Sequence, residues 1–160
     1  MRDGYEIDDL QSLLYAVFKK YATDTAPWTS WDVIRGYPQV EYFELATKPF
    51  IYINSPTLIS RVYMAGGRGR GNFEVIVGCW DHRDHGGIEE VNIMTGHILD
   101  LCNNPKSLQS KKFDITLGND TYSNTTLTAR GAYVIEAIGP RDLSEGPKDF
   151  RCEVTLAIRY

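Results

Sequence analysis

The closing stretch RCEVTLAIRY, residues 151–160, sets Cys152, Val154, Leu156, Ile158 and Tyr160 against Arg151, Glu153, Thr155, Ala157 and Arg159. That period of two belongs to a β-strand with one buried and one partly wet face. NFEVIVGCW (72–80) repeats the device, with Phe73, Val75, Val77 and Cys79 on one side and Glu74, Ile76, Gly78 and Trp80 on the other. Strands of this kind hold together only when something apolar covers the buried face, so the chain must also supply amphipathic cover.

Two segments supply it. Ile7, Leu10, Leu14, Val17 and Tyr21 recur at helical spacing, with Asp8 and Asp9 in the first turn and Lys19 and Lys20 in the last, which suits the helix dipole. Val91, Met94, Ile98, Leu101 and Cys102 form a second apolar stripe over 88–103, with Glu89 and Glu90 at its start and Pro105 predicted to end it. Further strands are predicted at PFIYINS (49–55), SRVYMAG (60–66), a Thr-rich stretch over 121–128 and AYVIEAIG (132–139). The segment 23–38 is expected to wander over the surface, with Trp28 and Trp31 either plugging the edge of the core or forming a partner-binding pair. NPKSLQSKK (104–112) and GPRDLSEGPKD (139–149) read as polar loops, the latter a long hairpin tip.

The expected fold is one α+β domain over 1–160, in the order α-β-β-β-α-β-β-β, with two helices packed on one face of a largely antiparallel sheet. A chain of 160 residues carries one core of ordinary size. The formal charge of -4 argues against a surface built to coat nucleic acid. Three cysteines without a CxxC spacing do not complete a disulfide framework and fit a reducing compartment. No secretory signal or membrane span is expected.

Three stretches invite a chemical reading. CWDHRDHGG (79–87) offers His82 and His85, with Asp81 and Asp84 as oxygen donors, to a metal. Cys79, however, alternates with Val75 and Val77 and so faces the core. The segment then reads as a strand-to-helix connector in which Asp84 or His85 helps cap the helix and Gly86 and Gly87 give the bend. AGGRGRG (65–71) lacks the GK[ST] of a phosphate loop and leads into a strand, so Gly66, Gly67, Arg68, Gly69 and Arg70 read as a long hairpin tip carrying two cations. There is no GxSxG or HExxH, and the adjacent Glu89 and Glu90 diverge on their helix. No enzyme, cofactor or metal is expected.

The N-terminal amphipathic helix, the PFIYIN strand after its Pro- and Trp-containing lead-in, the glycine-rich hairpin tip, FEVIVGCW running into IEEVNIMTGHILDLC, and the EVTLAIRY ending together resemble tail terminator proteins of tailed bacteriophages. The resemblance covers most of the chain. It implies a structural virion protein of the tail and neck: a homo-oligomeric ring, usually a hexamer, that caps the tail tube protein, joins it to the head-tail connector or neck protein, and lets DNA pass through its lumen with only non-specific contact. An acidic chain suits such a pore, because attraction to many phosphates would retard sliding DNA. The glycine-rich tip, Trp28 and Trp31, and Glu145 and Lys148 of the LSEGPKD loop are the expected contact elements, with Arg68 and Arg70 docking on a neighbour. Two other readings compete: a metal-binding protein or metalloenzyme using His82 and His85, and a monomeric ligand-binding module with the two tryptophans lining a pocket.

Overall fold

The computed structural model describes residues 4–62, 69–82, 84–146 and 149–160. Helix α1 (Glu6–Asp24) opens with Glu6, Asp8 and Asp9 in its first turn and buries Leu10, Leu13, Leu14, Val17, Phe18 and Tyr21. Strand β1 (Asp32–Arg35), a short helix α2 (Val40–Leu45), β2 (Phe50–Ile53), β3 (Thr57–Arg61) and the long β4 (Gly71–His82) follow. Helix α3 (Gly87–Asn103) is followed at once by α4 (Pro105–Ser110), then β5 (Phe113–Leu117), β6 (Asp120–Thr125), β7 (Tyr133–Asp142) and β8 (Asp149–Arg159).

Six strands form one sheet in the order β1-β2-β4-β8-β7, with β3 also joined to β4. Its central pair is β4 and β8, in unbroken antiparallel register from Asn72↔Arg159 to His82↔Asp149. On the other side of β4, β3 pairs with its first half and β2 with its second. The predicted alternation is realised: Phe73, Val75, Val77 and Cys79 share one buried core with Cys152, Val154, Leu156 and Ile158. Buried residues of α1 and α3 complete that core, so both long helices lie on this inner face. The α+β class and the placement of the two long helices on one face are as the sequence predicts, while the short α2 covers part of the other face.

Several details correct the predicted order. The 23–38 segment is not a wandering surface stretch: it makes a 3-10 turn at Trp28–Ser30 and then β1, which pairs with β2 in parallel. A parallel pair needs a crossover, and α2 lies in it. α3 ends at Asn103, ahead of Pro105, as predicted, but the stretch after it is not all loop: Pro105 opens α4, at a position where its missing N–H has no partner to lose. The second predicted strand, SRVYMAG, sits earlier, at Thr57–Arg61, and its residues 63–66 lie outside the described residues. β5 and β6 form a separate two-stranded sheet. β7 extends to Asp142, and a Glu145↔Asp149 bridge closes its hairpin, so the 139–149 tip is shorter than predicted.

Candidate functional site

The CWDHRDHGG segment joins the end of β4 to the start of α3, and a buried carboxylate organises it. Asp81 has no exposed surface. One oxygen accepts the His82 N–H at 2.8 Å and lies 3.1 Å from His85 Nδ1; the other accepts the Gly87 N–H at 3.1 Å. Burial pushes the Asp81 carboxyl above its ordinary range, while these donors oppose the shift. Gly87 has a φ of 64°, and a Cβ there would stand 3.3 Å from the Phe150 ring, so the tight entry into α3 needs glycine.

Asp81, rather than Asp84 or His85, therefore ties down the helix start, because it is buried beneath the turn and accepts the Gly87 N–H. The alternative metal set is not brought together. Both Asp81 oxygens are occupied, His82 Nδ1 accepts the Asp84 N–H at 3.2 Å, and the two imidazole rings stand 5.9 Å apart. Among the described residues no group of three His, Cys, Asp or Glu side chains converges. His97 packs edge-on against Trp31 at 5.7 Å.

The outer face of the sheet falls into two halves. Under α2, Phe50, Tyr52 and Trp80 form a second buried cluster, packed by Tyr42 and Phe43. Phe50 and Trp80 stack with ring centres 4.9 Å apart. Tyr52 lies across Gly78, where a Cβ would meet its ring at 1.9 Å, and its hydroxyl donates to Glu153 Oε2 at 2.8 Å. Burial, foremost, pushes that hydroxyl up, so it stays a donor. Trp80 Nε1 donates to Asp149 at 2.6 Å, and the same carboxylate holds Arg151, whose guanidinium sits 4.5 Å over the Phe43 ring. The Tyr52 hydroxyl, the Trp80 indole N–H and the Arg151 guanidinium are thus matched within the chain. An isolated glycine in an apolar strand was the sequence signal for the Tyr52 crossing.

Beyond α2, none of the described residues covers the outer face where Ile59, Ile135 and Ile138 lie. Ile135 and Ile138 on β7 are 60% and 52% exposed, and Ile59 on β3 is 56% exposed. Ile59 and Ile135 flank a shallow groove of about 180 Å³ with Glu74, Ala157 and Arg159 among its lining.

The expected contact residues distribute unevenly. Trp28 and Trp31 are interior, each 2% exposed, which corrects the partner-binding reading. Trp28 stacks on Phe18 at 5.6 Å, and Trp31 donates to Glu90 of α3 at 2.6 Å, so the pair bridges the two long helices. Gly69 is buried, and its carbonyl accepts from Arg61 at 3.2 Å. Arg70 donates to the Gly131 carbonyl at 3.2 Å and lies 4.8 Å over the Tyr133 ring, so it is tied to its own chain rather than held out on a tip. Glu145 is exposed at the β7–β8 hairpin. Gly66, Gly67, Arg68 and Lys148 lie outside the described residues.

Among the described residues, no helix is long and apolar enough to cross a membrane. No family model matches the chain, and no curated protein matches it.

Proposed function

We propose that this chain is a non-enzymatic structural subunit of a tailed-phage virion: a tail terminator that closes into a ring, a hexamer, on the end of the tail tube and joins it to the head connector or neck protein. It assembles in the host cytoplasm and stays in the virion, with DNA passing through its lumen. The observation that carries this reading is the bare outer half of the sheet, where Ile135 and Ile138 stand exposed on the terminal strand β7. Branched apolar residues grouped on an uncovered sheet face suit a protein contact. A heterologous contact repeated around an axis closes into a ring. The order of elements quoted above as resembling tail terminators supports the same conclusion.

Native mass spectrometry over a range of concentrations, alone and with tail tubes, tests the reading. A metal-free closed ring, a hexamer, is expected, and Ile135→Lys with Ile138→Lys should reduce it to folded monomer. A monomer under every condition overturns the proposal, as does a monomer carrying one tightly held zinc, which would restore the His82 and His85 reading.

A further inference from the structure

The inner face places two thiols directly opposite each other at the centre of the fold. Gly71 and Tyr160 exchange both backbone hydrogen bonds, N–H to O, at 2.8 and 2.9 Å. The β4–β8 register runs without a slip, so every second pair from there is of the same type: Phe73↔Ile158, Val75↔Leu156, Val77↔Val154 and Cys79↔Cys152. Facing residues in such a pair have Cα atoms about 5.5 Å apart, inside the roughly 4.4–6.8 Å range that a disulfide spans. Both cysteines belong to the same buried core, so their side chains leave the sheet on one side.

We propose that Cys79 and Cys152 are a latent cross-strand disulfide, reduced in a reducing compartment and closed by a small two-electron oxidant once the folded protein leaves it. Closing forms one S–S bond and breaks two S–H bonds; the two protons and two electrons pass to the oxidant, which is reduced in the same step. Burial pushes the Cys79 thiol up to about 12, with Cys152 raised for the same reason, so the thiolate is scarce and the pair resists casual oxidation. Cys102 lies on α3 and is a register partner of neither. The bond would tie the central strand pair and enclose everything from α3 to β7 in one covalent loop, which raises resistance to unfolding. This inference rests on the strand register and the shared burial of the two side chains, and stands whether or not the chain forms a ring.

The test treats the full-length folded protein with diamide, a small neutral diazene that takes up two protons and two electrons, alkylates the remaining thiols in denaturant, and maps the peptides by mass spectrometry. A Cys79–Cys152 linked peptide with Cys102 alkylated is expected, together with a rise in the urea midpoint that a phosphine reductant reverses. Three alkylated cysteines, under conditions that fully oxidise a control dithiol protein, overturn the proposal; so does a link through Cys102. Cys152→Ala, shown to be folded by circular dichroism, should lose the oxidant-dependent rise, and its persistence would equally refute the pairing.

Discussion

The two faces of the main sheet are made by the same strands and obey opposite rules. On the inner face, β4 and β8 present Phe73 with aliphatic and thiol side chains that share one buried core with α1 and α3. On the outer face, the intervening residues of β4 run from Asn72 and Glu74 through Ile76 to Gly78 and Trp80, from polar to small to aromatic. Cover there is local: α2 sits on the aromatic end and leaves the β7 side bare. The inner face holds the fold together by continuous burial of apolar area. The outer face combines a matched aromatic-polar cluster, which stabilises, with an exposed apolar strip, which contributes little to the isolated chain and is available for contact. One sheet thus separates a continuously covered face from one that is covered only in part.

The sharpest way to break that contrast is to truncate the inner face. Leu156, fully buried between the helices and the sheet, should cost about 3 kcal/mol when replaced by alanine, read as a lower urea midpoint at constant slope. A loss below about 1 kcal/mol would mean that the inner core tolerates collapse and does not dominate.

Gly78→Ala sharpens the comparison on the aromatic half of the outer face. The new Cβ would occupy the space of the Tyr52 ring, so the ring must leave Glu153 and the cluster must reopen; about 2 kcal/mol of stability should be lost. Combining it with Tyr52→Ala should cost much less than the sum of the single losses, because the clash disappears with the ring. Additive losses would show that Tyr52 does not depend on the missing side chain.

Asp81 tests the joint between the faces. Burial holds its folded pKa above the ordinary 3.8, so the folded protein keeps a proton that the unfolded chain has released, and stability from this group falls as pH rises through the window above 3.8. Asp81→Asn has no such titration. The stability of the wild type relative to the variant should therefore decline from mildly acidic to neutral pH in parallel urea titrations. A constant difference would show that the carboxyl is not shifted. At the small end of the scale, the Ile135→Lys, Ile138→Lys double variant should change monomer stability by no more than about 0.5 kcal/mol per site. A larger loss would place that strip among the stabilising contacts of the monomer and remove the contrast.

Much of the framework was legible along the chain. Where the pattern repeats locally, as in Phe73 to Cys79, Cys152 to Tyr160 and the α1 and α3 stripes, periodicity alone identified element, inward face and cover. β1 and α2 were missed because four- and six-residue elements hold too few periods to stand out, and their pairing partner lies across a crossover. α4 was read as a loop for a related reason: it is six residues long, and the proline that bars α3 from continuing also opens the next helix.

The candidate contacts show the same division. Sequence could place Trp28 and Trp31 beside the core but not inside it, since burial depends on α3 arriving to receive Trp31 at Glu90. It could pair Asp81 with the histidines of its own segment, yet which carboxylate caps α3 was settled by depth beneath the turn. The sequence by itself determined the class of fold, the inward residues of the long strands and the two covering helices, because these follow from periods of 2 and 3.6 that each segment carries internally. Only the tertiary structure decided that Tyr52 crosses Gly78, that Cys79 faces Cys152 and that β7 keeps a bare apolar strip, because each depends on register and cover between segments far apart in the chain.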